Sequence, residues 1–213
     1  MRLAPVFAAA LLAAGTVVPL ADAQAAPAMS FTSSDFNSTT VTSTRGYSFD
    51  VVAPGGVWVT GLSFFDEGGD GIAQSHDVGL WSADGSLLAS ITIPAGTSAP
   101  LDVNGLFRIG DIADIFLPTG TGYVVGATFL VNSPDRQARS FTGLSMDPAI
   151  AYTGSRFINN NVPSLTFPAS GNPLSGYPGG SFELSSVSTP EPTSLALLAT
   201  GFLGTVYRRR RTA

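Results

Sequence analysis

Three residue types that can relay a proton stand side by side at Ser75, His76 and Asp77. Neighbouring side chains on a strand point to opposite faces, so three in a row cannot form the linked hydrogen bonds of a nucleophile, its base and the orienting acid. No Gly-x-Ser-x-Gly elbow supplies a serine from elsewhere. The expectation is a strand-edge histidine bonded to backbone, and no catalytic residue. Four acids, Asp66, Glu67, Asp70 and Asp77, gather around a glycine-rich loop, Gly68-Gly69-Asp70-Gly71. Carboxylates and carbonyls on a tight loop are what calcium takes, although the spacing is not that of an EF-hand. A solvated turn between strands has the same composition. The same acids could be drawn as a glycosidase pair, but nothing in the sequence fixes their separation. Trp58, Trp81, Tyr47 and Tyr123 could stack on sugar rings, yet aromatics at strand spacing more often fill a core. Trp58 is the one expected to face outward, because Val57 and Val59 would share the other face.

The elements that must position these residues read as strands. Tyr47 to Val51 alternates apolar and polar, and Val57 to Phe65 is long, aromatic and β-branched. Asp77–Trp81 and Leu87–Ile93 flank the turn Ala83-Asp84-Gly85, a hairpin signal. Phe107–Ile109, Ile112–Leu117 and Tyr123–Val131 continue the pattern, with weaker pieces at 149–152, 156–158 and 181–184. Strands about ten residues apart with Gly, Pro and Asp between them predict an all-β, antiparallel, jelly-roll-like sandwich. No helical periodicity of useful length occurs between Ser30 and Val187, and the Asn-, Pro-, Ser- and Gly-rich stretch 159–180 reads as a long loop or a meander over the sandwich.

Composition narrows the chemistry. The chain has 213 residues, 24 Gly, 15 Pro and only 12% charged side chains. It has no Cys, which excludes disulfides, thiolate metal sites and a cysteine nucleophile. It has no Lys, so there is no P-loop or Schiff-base lysine, and its single His cannot build a multi-histidine metal centre. From Ala26 to Thr189 there are 5 Arg against 13 Asp and Glu, a net charge of −8. Nucleic acid and anionic lipid are poor partners for such a domain.

The two ends differ from the middle. Met1-Arg2, the apolar stretch Leu3–Leu20 and the small residues before Ala23 or Ala25 read as a signal peptide over 1–25, cut by signal peptidase. A domain at 26–188 follows. The segment 189–213 holds Pro190-Glu191-Pro192, an apolar run over 193–207 and Arg208-Arg209-Arg210-Arg211. Read as a helix, the run is roughly 22 Å long, short of a core of about 30 Å, with snorkelling arginines and Tyr207 making up part of the difference. Four arginines at its tip act as a membrane stop and leave the domain on the far side.

Pro190, Glu191 and Pro192, then the apolar run, then the arginine block, resemble the PEP-CTERM sorting signal of Gram-negative bacteria. The resemblance implies transient anchorage in the inner membrane, recognition by an exosortase and delivery to the outer envelope, cell surface or an exopolysaccharide matrix. The stretch from Gly61 to Gly96 is similar to a family of secreted bacterial β-sandwich modules of unknown function. Its Phe64-Phe65, acidic glycine loop, His76–Trp81 strand and Leu87-Leu88-Ala89 carry that likeness. The expectation is an exported, non-enzymatic structural or adhesive module, with a secreted carbohydrate-binding module and then a secreted hydrolase as alternatives.

Overall fold

A computed structural model describes residues 25–37, 40–159, 161, 163–172, 176 and 178–186. Residues 1–24 of the expected signal peptide, the apolar run 193–207, the Pro-Glu-Pro triplet and the arginine block lie outside them. Among the described residues there is no helix, and none long and apolar enough to cross a membrane. The strands are β1 (Ala26–Pro27), β2 (Met29–Ser30), β3 (Ser33–Asn37), β4 (Ser43–Val51), β5 (Val57–Phe65), β6 (His76–Trp81) and β7 (Leu87–Ile93). They continue as β8 (Phe107–Leu117), β9 (Gly120–Phe129), β10 (Gln137–Thr142), β11 (Ser145–Met146), β12 (Ile150–Asn159), β13 (Ser170–Asn172) and β14 (Gly180–Ser186). All their pairings are antiparallel.

One sheet has the order β1-β14-β5-β8, the other β13-β12-β4-β9-β6-β7, and β3 with β10 and β2 with β11 form short pairs beside them. The two large sheets face each other. Phe49 of β4 meets Phe182 of β14 at 4.7 Å between ring centroids, and Phe64 of β5 meets Phe129 of β9 at 5.3 Å. All four rings are buried, each contributing about 1.5–3 kcal/mol of apolar burial. The antiparallel sandwich expected from the alternation is therefore present.

Alternation alone does not explain β5. Val57 and Val59 face the core, but so do Leu62 and Phe64, a change of parity. A bulge accounts for it. Val59 opposes Leu184 and Ile115, Gly61 opposes Glu183 and Asp111, and Thr60 is left between them. The extra residue resets which side chains point inward. On β8 the same irregularity sits within one continuous strand, where the sequence suggested two pieces.

The stretch 163–169 crosses the outer face of the six-stranded sheet and leads into its edge strand β13. The Thr166 N–H donates to Thr44 Oγ1 at 3.1 Å, and Phe167 meets Trp81 edge-on at 6.1 Å. Gly79 makes room for this layer, because a Cβ there would lie 2.7 Å from the Trp81 ring and 2.8 Å from Leu165. This part of the long loop is thus a meander over the sandwich.

Candidate functional site

The acidic glycine loop follows β5 directly and turns at Gly68 and Gly69, both at positive φ (88° and 69°), which side-chain-bearing residues rarely adopt. Asp66 at its start is buried. Its carboxylate accepts from Arg108 Nε at 2.8 Å and from the Gly71 N–H at 3.0 Å. Arg108, also buried, spends its remaining donors on carbonyls: Nη2 to Gly69 at 2.8 Å and Nη1 to Ala99 at 2.9 Å and Thr97 at 3.4 Å. One guanidinium thereby ties the acidic loop to the segment before β8. Arg108 carries no signal in the sequence, since its partner is 42 residues away.

Glu67 pairs with Arg136, whose Nε donates at 2.6 Å and whose Nη2 donates to the second carboxylate oxygen. The Arg136 guanidinium also lies 5.2 Å from the centre of the Phe36 ring. Asp77, on the outer face of β6, accepts from Thr92 Oγ1 at 2.6 Å. Asp70 is exposed and has no polar partner among the described residues. The four acids named for calcium thus go to an arginine, a second arginine, a threonine and open solvent. Among the described residues, no three histidine or carboxylate side chains converge as metal ligands would.

His76 begins β6 and is 1% exposed. Its Nδ1 lies 2.7 Å from the Thr128 carbonyl, which only accepts, so Nδ1 is the donor. Its Nε2 lies 2.9 Å from Asp135, and its ring stacks on Phe64 at 3.8 Å. The backbone bond agrees with the sequence expectation. The carboxylate partner does not follow from it, because Asp135 sits in a turn-like Ser-Pro-Asp-Arg stretch 59 residues away. Asp135 also accepts from the N–H groups of Ala73 (2.7 Å) and Gln74 (2.9 Å). Burial by itself would push its carboxyl upward. The bonds from His76 and the two amides outweigh that and hold it below its ordinary range. Ser75 accepts from the Ala95 N–H at 3.2 Å. The side chains of Ser75, His76 and Asp77 therefore have different partners and do not bond one another.

Between the loop and Pro134–Arg136 lies a polar cleft of about 180 Å³. That is below the ~300 Å³ at which pockets for small organic ligands begin. Of the groups that line it, Glu67 is paired with Arg136 and Asp135 is hydrogen-bonded to His76.

Of the aromatics, Tyr47 is buried and bonded to Ser181 at 3.1 Å, and burial drives its phenol far above the usual range. Trp81 is 3% exposed beneath the meander, whereas Trp58 is 39% exposed and lies 5.2 Å from Phe116, also half-bare. On the same outer face Glu183 opposes Gly61, which opposes Asp111. Partial burial, then the nearby Asp102 and Asp111 carboxylates, raise the Glu183 carboxyl above its ordinary value.

The last strand hands the chain on at Ser186, and residues 188–211 match the family model of the PEP-CTERM protein-sorting motif. The chain carries a PEP-CTERM sorting motif. The match contains Pro190, Glu191, Pro192 and Arg208 to Arg211, and implies export with membrane-anchored transit through an exosortase. No curated protein and no solved structure matches the chain. The likeness of Gly61–Gly96 to secreted sandwich modules finds no support in these comparisons, and the PEP-CTERM match covers the sorting segment only.

Proposed function

We propose that this protein is a non-enzymatic structural or adhesive module of the outer envelope or the exopolysaccharide matrix. Signal peptidase releases its N-terminus. The segment after β14 anchors it in the inner membrane until an exosortase acts near Pro190-Glu191-Pro192. The sandwich is then the delivered cargo. The observation that carries this reading is the sorting motif, which begins two residues beyond the last strand of the sandwich. One feature of the domain supports it: the loop acids Asp66 and Glu67 are committed to the internal partners Arg108 and Arg136. Pro190→Ala and Glu191→Ala test it in cells that contain the protease. Each should leave a larger, membrane-bound form on a blot. Unchanged processing of both variants would refute the sorting step, and normal matrix or envelope cohesion in a deletion strain would refute the structural role.

A further inference from the structure

Strand register places the exit toward the sorting motif on one rim of the sandwich. Val51, at the end of β4, opposes both Ile150 and Gly120. Val57, at the start of β5, opposes both Leu117 and Ser186. Thr119 Oγ1 joins the sheets there by donating to the Ala53 carbonyl at 2.5 Å. This rim carries bare apolar side chains. Trp58 (39% exposed) and Phe116 (43%) are cross-strand partners, and Val52 (49%) is in the adjoining β4–β5 turn. The Phe116 ring covers Gly56 of that turn, so Trp58 and Phe116 form one edge beside it. Exposed apolar residues at the other rim, such as Val103 and Val131, point away from the exit.

The tether is short. Six residues, 187–192, separate β14 from the apolar run. Fully extended they reach about 20 Å, and any bend brings the rim closer. Tryptophan favours the boundary between headgroups and acyl chains, and an adjoining phenylalanine adds apolar area to bury there. A tethered rim also meets that boundary at high effective concentration, so a weak affinity suffices.

We infer that Trp58 and Phe116 form a lipid-contacting edge that rests on the interface of the membrane holding the sorting segment. This inference rests on the proposed membrane transit. The preferred lipid is zwitterionic, because Asp114 and Asp111 are exposed on the same strand as Phe116 and the domain carries a net charge of −8 between Ala26 and Thr189.

The test uses the full chain reconstituted into phosphatidylcholine vesicles whose acyl chains are brominated near the headgroup. The chain has two tryptophans. Trp58 should be quenched and Trp81, under the meander, should not, so a quenched component of wild-type emission should vanish in Trp58→Phe. Replacing part of the lipid with phosphatidylglycerol should reduce the quenching. Equal quenching of wild type and Trp58→Phe, or none in either, in vesicles that float with the chain inserted, overturns the edge and leaves the transit reading standing. A chain that does not float with the vesicles removes both. A Trp58 emission that ignores lipid but shifts with soluble polysaccharide assigns the rim to a glycan and also overturns the inference.

Discussion

Replacing Arg108 with methionine keeps much of the side-chain volume and removes every donor. In the native protein this guanidinium serves the Asp66 carboxylate and the carbonyls of Gly69, Ala99 and Thr97. Arg108 and Asp66 have side chains only 6% and 2% exposed, so water cannot take over. Removing one partner of a buried pair costs about 3–5 kcal/mol, because the remaining charge stays desolvated and alone. Against a total stability of about 5–15 kcal/mol, a loss near 4 is a large fraction. At about 2–4 °C per kcal/mol for a domain of this size, Arg108→Met should lower the unfolding temperature by roughly 8–16 °C. Near-ultraviolet circular dichroism of the full chain in mild detergent reads the transition through the buried aromatics. The double variant Asp66→Asn with Arg108→Met should cost less than the sum of the single changes, since it removes the orphaned charge. A fall below about 3 °C for Arg108→Met, or strict additivity in the cycle, would show that the loop does not depend on this pair.

Other expectations follow the same logic. Glu183 is held above its ordinary value, so its ionised form opposes folding at neutral pH. Glu183→Gln should raise the unfolding temperature at pH 7, with the gain shrinking as pH falls through the raised value toward about 4.3; a less stable variant at pH 7 contradicts this. Asp135 is the opposite case. Its depressed carboxyl contributes stability that is complete above about pH 4 and lost as pH drops through the lower folded value, so Asp135→Asn should be less stable at pH 7 and show a flatter acid limb in a pH series. Millimolar calcium should leave the unfolding temperature unchanged, because Asp66 and Glu67 are committed to arginines; a rise of several degrees would show that the loop opens to bind the ion.

Periodicity carried the sandwich well where strands are long and one face is buried. The β4, β5, β6, β7 and β9 stretches all read as strands from alternation or β-branched content. It failed where that contrast is weak. Gln137–Thr142 is mostly polar and shows no clear alternation, and β10 pairs with β3 beside it. The bulge at Thr60 was also hidden, since a parity change within an apolar run resembles two-sided burial. At the site, the acids and His76 stood out by residue type and Trp58 by its flanking valines. Their partners did not. Arg108 and Asp135 are ordinary residues in ordinary contexts, and only the sheet topology, with separations of 42 and 59 residues, brings them in.

The placement of β14 bears on tension. This strand is not an edge: it lies between β1 and β5, with seven register pairs to β5 from Gly180↔Phe64 to Ser186↔Val57. A pull applied through the sorting segment enters at Ser186 and runs along the strand, so the backbone bonds to β5 are loaded together in shear. An edge strand peeled from its end would break them one at a time. The handle by which the protein is held is thus attached to an interior stave of the sheet, and a load on it is shared across the row before any single bond gives way.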